Sequence, residues 1–78
     1  MIDVVVPKWG LTMEEADVLR WLKQVGETVA EGEPILELET DKATGEVEAP
    51  AAGVLVEALV QSGQTVEPGQ VVGRIDPV

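Results

Sequence analysis

The chain is poor in residues that do chemistry on their own. Its 78 residues contain no His and no Cys. That removes imidazole bases, thiolate nucleophiles, disulfides and the usual zinc ligands. What remains is one conspicuous lysine, Lys42, in the run Glu39-Thr40-Asp41-Lys42-Ala43-Thr44, and a surplus of carboxylates. A lysine amine is a cation with a pKa of about 10.4, and it attacks an acyl group only after losing a proton. Asp41, Glu39 and Glu46 beside it favour the charged form, so a partner enzyme would have to supply the base. From the residues alone two accounts stand open. Lys42 is an ordinary solvated lysine at a turn, as most lysines are, or it is held out at an apex for an enzyme to modify, with small Ala43 leaving room. The carboxylates have a plain account too. Paired acids can do acid–base work, but these alternate along strands with no predicted cleft. Glu14, Glu15, Asp17, Glu31 and Glu33 read as solubility and edge protection. Catalysis by this chain alone is not expected.

Positioning Lys42 is the task of its flanks. Pro34 to Glu39 and Gly45 to Pro50 alternate apolar and acidic residues, the period-2 pattern of half-buried strands. Leu36, Leu38 and Val47 should face inward, and Glu37, Glu39, Glu46 and Glu48 outward. Asp41-Lys42 then forms the tip of a tight hairpin. Further strands are expected at Ile2 to Val6, Asp17 to Lys23, Thr28 to Ala30, Val54 to Val60, Thr65 to Glu67 and Val71 to Asp76, with the facing of Asp17 to Lys23 undecided. Pro7 to Ala16 reads as a connection, in which Met13 to Ala16 supports at most a helical turn. Trp21 reads as core and Trp9, in the connection, as packing.

The chain repeats itself at an offset of 37 residues, Gly26-Glu27-Thr28-Val29 matching Gly63-Gln64-Thr65-Val66, with Gly32 matching Gly69, Ile35 Val72, Leu38 Ile75 and Leu22 Leu59. Each half runs long strand, Gly turn, short strand, Gly turn, long strand. Gly26, Gly32, Gly63 and Gly69 mark turns, where positive φ costs little only for Gly. No glycine spacing resembles a phosphate loop between strand and helix. Two such halves predict an all-β fold, a flattened barrel or sandwich of two four-stranded sheets with pseudo-twofold symmetry, spanning residues 1–78 as one domain. A chain this short buries only about 60–65% of its unfolded surface. Its core must be aliphatic, since there is no Phe or Tyr and only two Trp.

Fifteen acids against five bases give a net charge of −10. That disfavours nucleic acid and anionic membranes and favours basic protein partners. No apolar run reaches the length of a membrane span. The start, Met1-Ile2-Asp3-Val4, lacks signal-peptide or transit-peptide character, so a bacterial cytoplasmic setting is expected ahead of a mitochondrial matrix.

Glu39-Thr40-Asp41-Lys42-Ala43 and Val47-Glu48-Ala49-Pro50-Ala51-Ala52-Gly53, with Pro7-Lys8-Trp9-Gly10-Leu11-Thr12-Met13 and Gly26-Glu27-Thr28-Val29, resemble the lipoyl domains of 2-oxo acid (or acetoin) dehydrogenase complexes, in their dihydrolipoamide acyltransferase subunits. The likeness covers essentially the whole chain. It implies the lipoyl/biotinyl-type barrel-sandwich fold, with the lysine hairpin at the opposite end from the paired termini. It implies lipoic acid in amide linkage on Lys42, and recognition by a lipoate-attaching enzyme through Glu39, Gly53 and the flanking Asp41 and Ala43. It also implies partners: a thiamine-diphosphate-dependent decarboxylase, the acyltransferase catalytic domain and a flavin-dependent dihydrolipoyl dehydrogenase. The chain would be a swinging-arm carrier whose tether raises the effective concentration of the acyl group at each site; a longer parent chain, if the domain is excised from one, would be an acyltransferase. One departure is Ala16, where such domains often have Gly; it should restrict a turn slightly.

Two other functions fit the same fold. Biotin carriers resemble a Met-Lys-Met tip, whereas this tip has Asp41 and Ala43. An unmodified structural or adaptor module would carry no group on Lys42. Pro7 to Leu11 looks like the start of subunits serving pyruvate, branched-chain or acetoin substrates, less like the 2-oxoglutarate type.

Overall fold

A computed structural model describes residues 1–8, 15–41 and 43–77. Eight strands follow in order: β1 (Ile2–Val5), β2 (Ala16–Trp21), β3 (Thr28–Val29), β4 (Pro34–Glu39), β5 (Thr44–Glu48), β6 (Gly53–Ala58), β7 (Thr65–Val66) and β8 (Val71–Asp76). They form two four-stranded antiparallel sheets, ordered β1-β8-β6-β3 and β5-β4-β2-β7. The expected all-β architecture is present, and the strand ends differ from expectation by one or two residues. Ala16 is a correction of substance. It does not sit in a turn but opens β2, buried and paired with Val66.

The two sequence halves are interleaved rather than stacked side by side. The short strand of each half joins the sheet built on the long strands of the other, β3 beside β6 and β7 beside β2. Equivalent backbone bonds tie the halves together: Gly26 N donates to Leu55 O (2.7 Å) and Gly63 N to Val18 O (2.8 Å). Neither half could close its core without the other.

Four tight turns follow one pattern. Gly26, Gly32, Gly63 and Gly69 have φ of 99, 83, 90 and 86°, the left-handed region where a Cβ is costly. The residue after each glycine is Glu or Gln. Its amide donates to the carbonyl three residues back, and its side chain accepts from that residue's amide. Glu27 Oε1 accepts from Gln24 N (2.8 Å), Glu33 Oε1 from Ala30 N (2.9 Å), Gln64 Oε1 from Gln61 N (2.6 Å) and Gln70 Oε1 from Glu67 N (3.0 Å). Glu33 is thus a turn clip as well as the partner of Lys23, Nζ to Oε2 3.1 Å, and this role replaces the expected one in solubility.

Strict alternation fails at four places, in two symmetric pairs. The β2/β4 register jumps between Val18 and Arg20, and the β6/β8 register between Leu55 and Glu57, leaving Leu19 and Val56 as extra residues. The β4/β5 register jumps across Ile35 and the β1/β8 register across Val72. A bulge of this kind turns the following side chains over. It settles the facing of β2: Ala16 and Val18 point into the core, Arg20 points out, and Trp21 returns inward opposite Leu36. It also buries Ile35 and Leu36 together, where alternation would bury only one.

The core is aliphatic throughout: Val4, Val18, Val29, Ile35, Leu36, Leu38, Leu55, Val66, Val72 and Ile75 are almost fully buried. Trp21 packs against this cluster, and its Nε1 donates to Val60 O at 2.8 Å. The ring leans on Gly73, where an added Cβ would lie 3.1 Å from Trp21 Cη2 and 2.8 Å from Glu57 O. Trp9, Gly10 and the rest of residues 9–14 lie outside the described residues, as does the possible helical turn from Met13.

Candidate functional site: the β4–β5 hairpin

The hairpin is built on the longest continuous ladder of its sheet. β4 and β5 pair Leu36 with Val47, Glu37 with Glu46, Leu38 with Gly45 and Glu39 with Thr44. Leu36, Leu38 and Val47 anchor its inner face in the core, so the loop beyond Glu39 and Thr44 projects from a fixed base. In the pseudo-twofold, β4 corresponds to β8 and β5 to β1. The loop thus holds in one sheet the place that the chain termini hold in the other.

Thr40 and Ala43 close the loop. Thr40 N donates to Ala43 O at 2.8 Å. The Thr40 hydroxyl donates to the same carbonyl at 3.0 Å and accepts from Ala43 N at 3.2 Å. Two residues are enclosed by sequence, Asp41 and Lys42. Lys42 lies outside the described residues; Asp41 and Ala43, on either side of it, are exposed. Among the described residues no non-glycine has positive φ, so Asp41 does not adopt the left-handed form that type I′ hairpin loops require.

The outer face behind the loop is acidic. Glu46, Glu37 and Arg20 stand in one row across β5, β4 and β2, and Thr44, Glu39, Asp17 and Thr65 in the next. Arg20 Nε lies 3.4 Å from Glu37 Oε1, and Asp17 Oδ1 accepts from the Thr65 hydroxyl at 2.9 Å. Glu39 is exposed beside Asp17, its cross-strand neighbour.

Of the expected recognition residues, Glu39, Asp41 and Ala43 come together at this hairpin. Gly53 does not join them. It opens β6 in the other sheet, paired with Val29. A Cβ there would run into the Asp76 carbonyl and lie 2.8 Å from Ile75 Cγ2. Packing alone therefore requires glycine at 53. Thr40, whose side chain bonds both backbone groups of Ala43, is a member of this hairpin that sequence reasoning misses. A Thr opening a two-residue loop with no glycine in it is the available signal, since Thr side chains readily bond nearby backbone. Among the described residues no cluster of three or more His, Cys, Asp or Glu is arranged to hold a metal. No helix among them is long and apolar enough to cross a membrane.

The Biotin_lipoyl family model, described as "Biotin-requiring enzyme", matches residues 2–75. The fold is that of the lipoyl domain of the 2-oxoglutarate dehydrogenase complex from Azotobacter vinelandii, with a TM-score of 0.76, 36% identity, and coverage of 97% of this chain and 96% of that one. The dihydrolipoyllysine-residue succinyltransferase component of the 2-oxoglutarate dehydrogenase complex of Staphylococcus saprophyticus is 49% identical over 96% of this chain. The acetyltransferase component of the pyruvate dehydrogenase complex of Corynebacterium glutamicum is 44% identical over 94%. The chain spans only 18% and 11% of the lengths of these two relatives. The leaning away from the 2-oxoglutarate type, read from Pro7 to Leu11, gains no support from these identities. The chain belongs to the Biotin_lipoyl family and, within it, is a lipoyl domain of the kind found in the acyltransferase components of 2-oxo acid dehydrogenase complexes.

Proposed function

We propose that Lys42 is the attachment point of lipoic acid, in amide linkage, and that the domain works as a carrier rather than a catalyst. The observation that carries this is the closure of the β4–β5 hairpin by Thr40 and Ala43 around Asp41-Lys42, in a chain whose relatives are dihydrolipoyllysine proteins. The residues fit such a group: Asp41 and Ala43 are exposed, and Ala43 offers only a methyl beside the attachment point. Of the other lysines, Lys23 is engaged with Glu33 at 3.1 Å and half-buried, and Lys8 follows Pro7 outside any strand. When bound, the dithiolane would carry acyl groups and two electrons. The chain's own part is to hold the attachment point on a rigid base, to exclude other lysines from modification and to present an acidic face beside it. The partners on this reading are a lipoate-attaching enzyme and the components of a 2-oxo acid dehydrogenase complex: its thiamine-diphosphate-dependent decarboxylase, the acyltransferase domain and the dihydrolipoyl dehydrogenase.

Intact mass and peptide mapping test this directly. Co-expression with a lipoate-attaching enzyme and lipoate should add one lipoyl group, located on Lys42, and make the domain one charge more negative on a native gel. Lys42→Ala should fold and stay unmodified. Exchanging Asp41 and Lys42 keeps composition and charge but turns the amine toward the other side of the ribbon; it should fold and accept lipoate poorly. A biotinyl mass shift, or modification at Lys8 or Lys23, would overturn the assignment.

A further inference from the structure

Five loops among the described residues are closed in two different ways. Four contain a glycine at positive φ and are clipped by the Glu or Gln that follows it. The Asp41-Lys42 loop contains no glycine. It is clipped from its other side, by the residue that opens it: the Thr40 hydroxyl both donates to Ala43 O and accepts from Ala43 N, at 3.0 and 3.2 Å. Glycine gives the other four loops a backbone form that needs little help. Here the loop lacks glycine, and one side chain spans it beside the backbone bond from Thr40 N to Ala43 O. Asp41 and Ala43 are exposed, and Glu39 and Thr44 are the last residues of the ladder beneath.

We propose that Thr40 is a positioning residue for modification of Lys42. Its hydroxyl holds Thr40 and Ala43, the ends of the loop, together, so that the modifying enzyme meets a loop whose ends are already set. This rests on the reading that Lys42 is the lipoylated residue. The physical basis is pre-organisation: a loop fixed before the encounter has less conformational entropy to lose in it. Loss of the clip leaves the ladder from Leu36 to Glu39 and Thr44 to Val47 intact, because that ladder is held by backbone bonds and by buried Leu36, Leu38 and Val47. The defect should therefore appear in recognition and not in folding.

Thr40→Val and Thr40→Ser separate the two. Val keeps the shape and β-branching but has no hydroxyl; Ser keeps the hydroxyl. The test is the steady-state kinetics of lipoate attachment to the purified domain by a lipoate-attaching enzyme, with thermal unfolding and the exchange rate of the Ala43 amide measured on the same samples. Thr40→Val should lower kcat/KM for the domain roughly 5- to 30-fold, the cost of ordering about one residue's backbone, with most of the loss in KM. Its Tm should stay within a few degrees of wild type while the Ala43 amide exchanges faster. Thr40→Ser should recover most of kcat/KM. Attachment to Thr40→Val at the wild-type rate, with wild-type protein modified on Lys42, would overturn this inference alone. So would equal losses in Val and Ser variants that track Tm. A wild-type domain not modified on Lys42 would instead overturn the underlying assignment.

Discussion

Arg20 and Glu37 face each other across β2 and β4, with Arg20 Nε 3.4 Å from Glu37 Oε1. At the positions related to them by the pseudo-twofold stand Glu57 and Arg74, Nη1 to Oε2 3.2 Å apart. The pair is kept and its polarity is reversed. The reversal has consequences for the two outer faces. In the β1-β8-β6-β3 sheet the arginine is central and is flanked on both sides by acids, bonding Asp3 through Nε at 3.1 Å and Glu57 through Nη1. In the lysine-bearing sheet the central residue is Glu37, with Arg20 on one side and another acid, Glu46, on the other. Like charges opposite one another disfavour pairing. Each row holds one arginine and two acids, and the excess of negative charge on the sheet that carries the hairpin comes from Asp17, Glu39 and Glu48, against Asp76 alone in the strands of the other sheet.

Removing the two arginines should therefore have unequal effects. Arg74 is the hub of a two-acid network, and its hydrogen bonds to Asp3 and then Glu57 raise its pKa above the usual arginine value. Arg20 is largely exposed and meets one acid, a type of contact worth little. Arg20→Met should change stability by no more than about 0.5 kcal/mol. Arg74→Met should lower Tm clearly more, because it leaves Asp3 and Glu57, on either side of β8, without the cation between them. Thermal unfolding of the two variants decides; equal Tm values would remove the distinction between the faces.

Glu33 should give the chain an acid-sensitive step in stability. The Ala30 amide, and secondarily Lys23, hold its carboxyl below the ordinary glutamate value of 4.5. A depressed folded-state pKa means the stabilisation is fully present above the unfolded value and is lost as pH falls through the folded one. Gln70, its symmetric counterpart, makes the same turn bond without a charge. Glu33→Gln should therefore keep the turn and lose only the ion pair. The stability gap between wild type and Glu33→Gln should be fully present above the ordinary glutamate value of 4.5 and shrink as pH falls through the lowered folded-state value. Urea titrations at intervals of falling pH measure it, and a gap that does not shrink with acidification would refute this account.

The repeat at 37 residues and the alternation around Lys42 make most of the fold legible in the sequence, down to the two sheets and the hairpin. Periodicity is a statement about neighbours along one strand, and it breaks where neighbours across strands decide. The bulges at Leu19, Ile35, Val56 and Val72 leave no local sequence mark, so the facing of Trp21 cannot be read from its strand. Ala16 reads as part of a connection because nothing nearby shows that Val66 pairs with it. Glu33 looks like a solvated acid because the group it clips is a backbone amide, which a sequence does not display. Gly53 stands out as a family position, yet the reason for glycine, the carbonyl of Asp76 some twenty residues later, is a tertiary contact.

Gly53 provides a test that separates packing from recognition. A Cβ at 53 meets backbone at Asp76, which cannot move aside as a side-chain tip can. Gly53→Ala should destabilise the domain by roughly 1–3 kcal/mol or more, the range of overpacked cores. Gly63→Ala, at positive φ in a turn with open space around it, should cost about 1–2 kcal/mol, the penalty of the left-handed form. Lipoate attachment to Gly53→Ala should then be measured well below its Tm. A loss of attachment that disappears under those conditions assigns Gly53 to packing; a loss that persists in fully folded protein assigns it to recognition as well.

The uneven distribution of charge leads to the last expectation. With a net charge of −10 and exposed Glu39, Asp41, Glu46 and Glu48 around the hairpin, the domain should be steered toward basic surfaces on the attaching enzyme and on the decarboxylase. Steering acts on encounter, so it should appear in kcat/KM and not in kcat. Exposed charges are screened beyond about 8 Å at physiological ionic strength, and kcat/KM for lipoate attachment should therefore fall as salt rises from 10 to 300 mM. Salt can also act on the enzyme itself, and charge-neutral variants remove that ambiguity. Glu46→Gln with Glu48→Gln takes two charges from the hairpin's edge strand without touching the Arg20–Glu37 pair. It should flatten the salt dependence and lower kcat/KM mainly at low salt. An equal pair of charges removed from the far face, Glu57→Gln with Asp3→Asn, should flatten it less. If both double variants respond to salt as wild type does, the acidic hairpin face does not guide the encounter.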